Sequence, residues 1–172
     1  MAYYKEIVTK AVIGKGKKTI REDREISFGE RLDNVLGCWV INHTFSGNIL
    51  DGVAVVSGNY DVNIWYSYDN NTKTNVIIKN FSYQDPMKVR LKENSKINNN
   101  TEIIVRSLNQ PSVSDVSVDS GIIKLTVDKQ MGVEVIGDTM VRVSVEDEMD
   151  DYEEIEDDEE IKDIEITDDY LK

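Results

Sequence analysis

The chain has 172 residues, a net charge of −13, one cysteine and one histidine. A single cysteine excludes an internal disulfide and a multi-cysteine zinc site, and a single histidine leaves no second imidazole for a metal site or a catalytic relay. The composition therefore argues against an enzyme. We expect no catalytic residues, no metal, no cofactor and no small-molecule substrate.

The charge is distributed very unevenly along the chain. The segment from Glu146 to Lys172 holds sixteen acidic residues and two lysines, so residues 1–145 together carry a charge of about +1. Like charges packed this closely repel one another and stay hydrated. We predict that residues 146–172 form a disordered acidic tail behind a nearly neutral body.

The N-terminal sequence has no unbroken apolar stretch of the kind that a signal peptide needs. No segment approaches the roughly 20 apolar residues that cross a bilayer. We therefore expect no membrane insertion and a protein that is made and kept in the cytoplasm.

A basic stretch opens the chain. Residues 14–19, GKGKKT, superficially resemble a phosphate-binding loop but lack its glycine spacing, so a basic turn in a β-hairpin is the better interpretation. Lys15, Lys17, Lys18 and Arg21 are predicted to form a basic patch that meets an acidic surface, such as the tail of another copy. Nucleic acid is the rival partner, but the acidic tail would compete for the same patch, so we expect no nucleic-acid binding.

The sole cysteine and the sole histidine lie in one predicted strand, VLGCWVINHTF. Side chains alternate in a strand, so Cys38 and His43 point to opposite faces and cannot form a dyad unless a bulge intervenes. His43 is expected to share a face with Trp39, Ile41 and Phe45.

Period-two alternation dominates the rest of the body, which predicts half-buried strands. The clearest run places alternate residues on one face: Tyr60, Val62, Ile64, Tyr66 and Tyr68. Glycine- and asparagine-rich turn signals separate such runs at short intervals, at residues 14–16, 46–48, 51–52, 69–71, 98–100 and 120–121. The fold class is therefore all-β, an antiparallel sandwich or a partly closed barrel.

A polar, asparagine-rich stretch at residues 92–100 suggests a boundary within the body. It predicts two small β modules, residues 1–93 and 94–145, followed by the acidic tail at 146–172. The modules are expected to share an interface, because a unit of about fifty residues is marginal alone.

The tail carries isolated apolar residues among its carboxylates. Those that we predict to bind a partner are Tyr152, Ile155, Ile161, Ile164 and Tyr170. Such residues are typical of a segment that orders on a partner, where charge speeds the encounter and apolar contacts slow release. The alternative is a tail that only keeps the protein in solution.

Several stretches carry a resemblance to a known family. The runs GCWVINHTF (residues 37–45) and SGNYDVNIWYSYDNNTKTNV (residues 57–76) resemble CotE, the outer spore coat morphogenetic proteins of endospore-forming Firmicutes. The opening residues 4–18, the segment LNQPS (residues 108–112) and the acidic C-terminus agree in order and position.

This resemblance implies a non-enzymatic scaffold made in the mother-cell cytoplasm and deposited on the forespore surface as part of the spore coat. It further implies that the protein associates with itself and recruits other spore coat proteins. The alternative function is a carbohydrate- or peptidoglycan-binding β module that uses Trp65 and the neighbouring tyrosines as a stacking surface.

Overall fold

The computed structural model describes residues 3–29 and 31–145. Within them every long element is a strand: β1 (Tyr3–Ser27), β2 (Asn34–Leu50), β3 (Val53–Tyr68), β4 (Lys73–Met87), β5 (Arg90–Leu91), β6 (Glu102–Asp119) and β7 (Ile122–Val145). The all-β prediction is confirmed. The described part divides into two units: residues 6–141 form the larger, and residues 3–5 and 142–145 belong to the smaller.

The strands form two antiparallel sheets that do not close into a barrel. One sheet has the order β5-β1-β7-β6 and the other has the order β2-β3-β4. We call them the four-stranded and the three-stranded sheet. Strand β1 from the predicted module 1–93 lies beside β7 from the predicted module 94–145, so both stretches contribute to one sheet. The division of the body into two modules, residues 1–93 and 94–145, stays a prediction.

The core lies between the two sheets and follows the alternation of β3 and β7. On β3 the inward residues Tyr60, Val62 and Ile64 are fully buried, as are Ile123 and Val127 on β7. Apolar residues at every second position are what a sheet with one buried face requires. The buried run predicted from the sequence is confirmed at these positions.

Three of the predicted turns are confirmed by positive backbone φ angles. Asp51 and Gly52 join β2 to β3 with φ values of 50° and 77°, and Ser120 and Gly121 join β6 to β7 with 50° and 78°. These values fit a two-residue hairpin turn, whose twist matches that of the flanking strands. The loop at residues 69–72 also has left-handed residues, all of them asparagine or aspartate.

The turns predicted at residues 14–16 and 46–48 are wrong, because these residues lie inside the continuous strands β1 and β2. Gly14 and Gly16 stand where the chain at residues 88–91 passes close to β1. A Cβ atom on Gly14 would meet the side chains of Leu91 and Val89, and one on Gly16 would meet the backbone oxygen of Lys88. The glycines therefore permit strand β5 to pair with β1.

Candidate interaction surface and buried ion cluster

The outer face of the three-stranded sheet carries a contiguous group of apolar side chains. The register places these residues in three rows across β2, β3 and β4: Gly37–Trp65–Val76, Trp39–Asn63–Ile78 and Ile41–Asp61–Asn80. We call the apolar members of these rows, Trp39, Ile41, Trp65, Val76 and Ile78, the tryptophan face. Residues directly opposite on one face of a sheet have side chains in contact range, so the rows form one surface.

This surface is open to solvent. The exposed fraction of each side chain on the tryptophan face lies between 38% for Ile41 and 64% for Ile78. Both tryptophan rings lie beside Gly37, where an added Cβ atom would stand 3.4 Å from Trp39 and 3.7 Å from Trp65. Exposed apolar groups this close together are typical of an interaction site rather than of scattered surface residues.

Asn63 lies in the middle of the tryptophan face. Its side chain is only 8% exposed, between Trp39 on one neighbouring strand and Ile78 on the other. The amide oxygen Oδ1 of Asn63 is buried and has no hydrogen-bond partner within the described residues. A buried acceptor without a donor costs on the order of 1–3 kcal/mol.

Asp61 is the charged group of these rows. Its carboxylate accepts a hydrogen bond of 2.9 Å from the amide of Asn42 and one of 2.8 Å from the amide of Asn80. These two hydrogen bonds lower the pKa of Asp61 below its usual value. Asp61 therefore stays ionised at the end of an otherwise uncharged surface.

The outer face of the four-stranded sheet carries ion pairs as well as exposed apolar residues such as Ile104 and Leu108. Arg21 of β1 donates to Asp128 of β7 at 2.8 and 3.2 Å. Glu134 lies 3.9 Å from the amine of Lys15 and 3.8 Å from the guanidinium of Arg106. Two of the residues predicted as a basic patch, Lys15 and Arg21, thus have acidic neighbours on their own sheet.

The other two residues of that predicted patch, Lys17 and Lys18, are exposed on β1. No residue within 3–29 and 31–145 is ion-paired with either of them, and their role in meeting an acidic surface stays a prediction. The predicted tail residues Tyr152, Ile155, Ile161, Ile164 and Tyr170 lie outside the described residues.

A second cluster of polar groups lies between the sheets. Lys129 occupies an inward position of β7, between Val127 and Met131, and its side chain is completely buried. Its amine forms ion pairs with Glu22 of β1 and, at 3.3 Å, with Asp85 of β4. Charged groups are costly to desolvate when they are buried between two sheets. A buried ion pair is therefore stable only when nearly every charged group in it has a partner.

Aromatic rings complete the surroundings of this amine. The Lys129 amine stands 3.6 Å from the centre of the Tyr83 ring, which is cation–π geometry. Tyr60 donates its hydroxyl to Glu22 at 2.9 Å. We call Lys129, Glu22, Asp85, Tyr60 and Tyr83 the buried ion cluster.

The ionisation of Glu22 reflects these contacts. Burial acts to raise the pKa of the Glu22 carboxyl, but hydrogen bonds from Lys129 and Tyr60 and the charges of Lys129 and Arg24 outweigh it, so the pKa is lowered. Arg24 lies 3.0 Å from the same carboxylate. Burial raises the pKa of Tyr60 to about 12, so its hydroxyl stays protonated and donates.

The predicted arrangement of β2 is wrong from residue 42 onward. A register shift between Ile41 and Thr44, with Asn42 at a φ of 54°, marks a bulge in this strand. The bulge turns the later side chains over, so His43 contacts inward-facing Tyr83 while Trp39 and Ile41 remain outside. His43 therefore does not share a face with Trp39.

His43 connects the buried ion cluster to β6. Its Nε2 atom lies 2.7 Å from the hydroxyl of Tyr83, and its Nδ1 atom lies 3.2 Å from Oε1 of Gln110. A neutral imidazole satisfies both contacts by donating from Nδ1 and accepting the Tyr83 hydroxyl at Nε2. Burial first, and the charge of Lys129 in addition, lower the pKa of His43 despite the opposing effect of Gln110.

This lowered pKa predicts a pH dependence of stability. The unfolded chain binds a proton at His43 near the usual pKa of 6.5, whereas the folded chain resists it. The stabilising contribution is present above that pH and is lost as the pH falls toward the folded pKa. Thermal unfolding from pH 7 to pH 5 should show a steeper loss of Tm for the wild type than for His43→Gln. Parallel curves would contradict this account, since both proteins share every other titrating group.

Cys38 packs against the core from β2 and has no basic partner among its described contacts. Burial raises the pKa of its thiol to about 11. A thiol with so high a pKa is a poor nucleophile at neutral pH.

The tyrosines proposed as part of a stacking surface lie elsewhere. Tyr60 and Tyr66 are buried in the core, at 0% and 4% exposure, while Trp65 of the same strand faces solvent. The aromatic group of the sequence is therefore split between the two faces of β3. Trp39 of β2, rather than a tyrosine, is the aromatic neighbour of Trp65 on the exposed side.

The residues that the structure describes contain no group of three or more histidine, cysteine, aspartate or glutamate side chains placed to hold a metal ion. No helix among them is long and apolar enough to cross a membrane.

Comparison with known protein families identifies the family of this chain. The family model for outer spore coat protein E (CotE) matches residues 3–171, nearly the whole chain. The chain belongs to the CotE family. No curated protein and no solved structure matches it. Membership of this family places the chain among the structural proteins of the outer spore coat.

Proposed function

We propose that this member of the CotE family is a non-enzymatic scaffold that associates with itself around the forespore and recruits other coat proteins. The observation that carries this proposal is the tryptophan face, an exposed apolar surface on a family member of the outer coat. Many weak contacts suffice in such a layer, because a lattice of bodies raises the local concentration of every binding segment. The protein would be made in the mother-cell cytoplasm and deposited from there.

The uneven charge of the sequence suggests separate roles for the body and the tail. The body, residues 1–145, is nearly neutral and carries the tryptophan face, whereas residues 146–172 carry a charge of −14. We assign self-association to the body and recruitment of other coat proteins to the tail. Lys17 and Lys18 are proposed to contribute contacts to acidic neighbours in the assembled layer.

Removal of residues 146–172 is expected to abolish capture of other coat proteins and to leave self-association intact. The measurement compares immobilised full chain with immobilised residues 1–145 in extracts of sporulating cells, with captured proteins identified by mass spectrometry. Undiminished capture by residues 1–145 would refute the assignment.

A matched control separates charge from apolar contacts. It keeps every carboxylate of the tail and changes Tyr152, Ile155, Ile161, Ile164 and Tyr170 to serine. We expect this variant to lose most of the capture as well, because the apolar residues slow dissociation while the charge mainly speeds encounter. Full capture by the serine variant would mean that charge is sufficient.

A second candidate function is favoured by one observation. Trp39 and Trp65 present two indole rings on a single exposed sheet face, an arrangement on which sugar rings can stack. A carbohydrate- or peptidoglycan-binding module predicts a change in tryptophan emission when soluble cell-wall fragments are added to the monomer.

A further inference from the structure

We propose that the tryptophan face binds the tryptophan face of a second copy of this chain. This inference rests on the proposed self-association and assigns a surface to it. Three observations carry it: the exposure of the face, the hydrogen-bonding groups that it leaves unpaired, and its charge.

The first observation is the area offered for burial. Five apolar side chains, each 38–64% exposed, form an open patch on the order of 400 Å². Burying this surface is favourable by about 25 cal/mol for each Å² removed from water. A patch of this size falls short of the roughly 800 Å² per partner of a stable isolated dimer, so one face gives a weak contact.

The second observation is that the face is self-complementary in hydrogen bonding. Trp39 and Trp65 each carry an indole N–H, which only donates, and neither has a partner within residues 3–29 and 31–145. The same face holds an acceptor without a donor, Oδ1 of Asn63. When two copies pack face to face, the indole N–H groups of one copy approach the acceptors of the other. Oδ1 of Asn63 becomes accessible to such a donor once the side chain of Trp39 or Ile78 shifts and uncovers it.

The third observation concerns charge and excludes the chain's own tail as the occupant. The three rows of the face contain no lysine and no arginine, and the carboxylate of Asp61 stands at one end. A segment with sixteen acidic residues gains no ion pair on such a surface and meets a like charge. A second copy of the face brings one carboxylate, that of its own Asp61, in place of sixteen acidic residues.

The position of Asp61 also orients the pair. An isologous contact places the same surface on both subunits, related by a two-fold axis. An axis that runs across the strands puts Asp61 of one copy over the Trp65 row of the other and keeps the two carboxylates apart. In this arrangement the Asp61 carboxylate is an acceptor for the indole N–H of Trp65 from the other copy.

The chain offers a matched pair of variants to test the proposal. Ile78 lies on the outer face of edge strand β4 within the tryptophan face, and Ile104 lies on the outer face of edge strand β6 in the other sheet. Both isoleucines are exposed, at 64% and 39%, so Ile78→Lys and Ile104→Lys place the same charge on the outer faces of edge strands in opposite sheets. Sedimentation equilibrium of the full chain at about 0.15 M salt, where surface charges are screened within about 8 Å, measures their association constants.

We expect Ile78→Lys to weaken association at least tenfold and Ile104→Lys to leave it within twofold of the wild type. The two tryptophans of the chain both lie in the face, so tryptophan emission should shift to shorter wavelength as the wild type is concentrated. Far-ultraviolet circular dichroism of each variant confirms that it is folded.

Three outcomes would overturn the assignment, and they differ in their consequence. Equal association of Ile78→Lys and wild type would leave self-association standing and remove this face from it. A wild type that stays monomeric at every concentration would remove self-association as well. An emission shift that needs added peptidoglycan fragments, and not a higher protein concentration, would assign the face to carbohydrate instead.

Discussion

Lys129→Met should lower the free energy of unfolding by about 3–5 kcal/mol, since it leaves the carboxylate of Asp85 between the sheets without its cation and leaves Glu22 with Arg24 alone. Methionine fills a similar volume, so the loss measures the missing charge rather than a cavity. The cation–π contact with the ring of Tyr83 is lost at the same time. Urea unfolding followed by circular dichroism provides the measurement.

The control for this prediction is Lys124→Met on the same strand. Lys124 is exposed, five residues before Lys129, so its replacement should change stability by less than about 0.5 kcal/mol. A second test removes one of the stranded charges: Glu22→Gln combined with Lys129→Met should cost less than the sum of the two single changes. Equal costs for the two lysines would show that the cluster does not stabilise the fold.

Gly58→Ala should destabilise the protein by about 3 kcal/mol, because the new methyl group has no space on the inner side of β3. A Cβ atom at this position would collide with the backbone oxygen of Thr44 and, at 2.5 Å, with the hydroxyl of Tyr83. The backbone oxygen belongs to the bulged part of β2 and cannot rotate away. Tyr83 is held by its hydrogen bond with His43, so the strain reaches the buried ion cluster.

Gly29→Ala is the matched control, since a Cβ atom there would meet nothing within 4 Å. It should change the free energy of unfolding by no more than about 0.5 kcal/mol. Thermal or urea unfolding of both alanine variants distinguishes them. A Gly58→Ala protein as stable as Gly29→Ala would contradict the packing described for β2, β3 and β4.

The alternation of side chains in β3 and β7 was sufficient to predict an all-β fold. Apolar residues at every second position, such as Val62 and Ile64, require one buried sheet face, and the hairpin turns at Asp51–Gly52 and Ser120–Gly121 carry their own sequence signal. These features depend on neighbours along the chain, which is why a sequence reveals them. The order of the strands depends on distant contacts and was not predictable.

The errors have local physical causes. Glycines at residues 14 and 16 suggested a turn, but they serve the close passage of residues 88–91 beside β1, a contact far apart in sequence. The bulge after Ile41 inverted the faces of the later residues of β2 because one extra residue changes the register of a period-two pattern. Neither the close passage nor the bulge has a recognisable signature in a single sequence.

One residue of the buried ion cluster could have been predicted from the sequence, but it was missed. Lys129 stands in the inward register of β7, between the apolar residues Val127 and Met131. A lysine at a core position of an alternating strand predicts a buried ion pair. Its partners Glu22 and Asp85 come from strands far away in sequence, so only the structure identifies them. Asn63 gives no such signal, because it stands at an outward position of β3 and is buried only by its cross-strand neighbours.

The most direct test of the central claim is light scattering with size separation of the wild-type full chain over a wide range of concentrations. A protein that builds a coat layer through weak contacts of its body must show a mean mass that rises continuously with concentration. We predict this rise at about 0.15 M salt, where repulsion between the acidic segments is screened. A single monomeric mass at every concentration would contradict the claim that the chain assembles by itself.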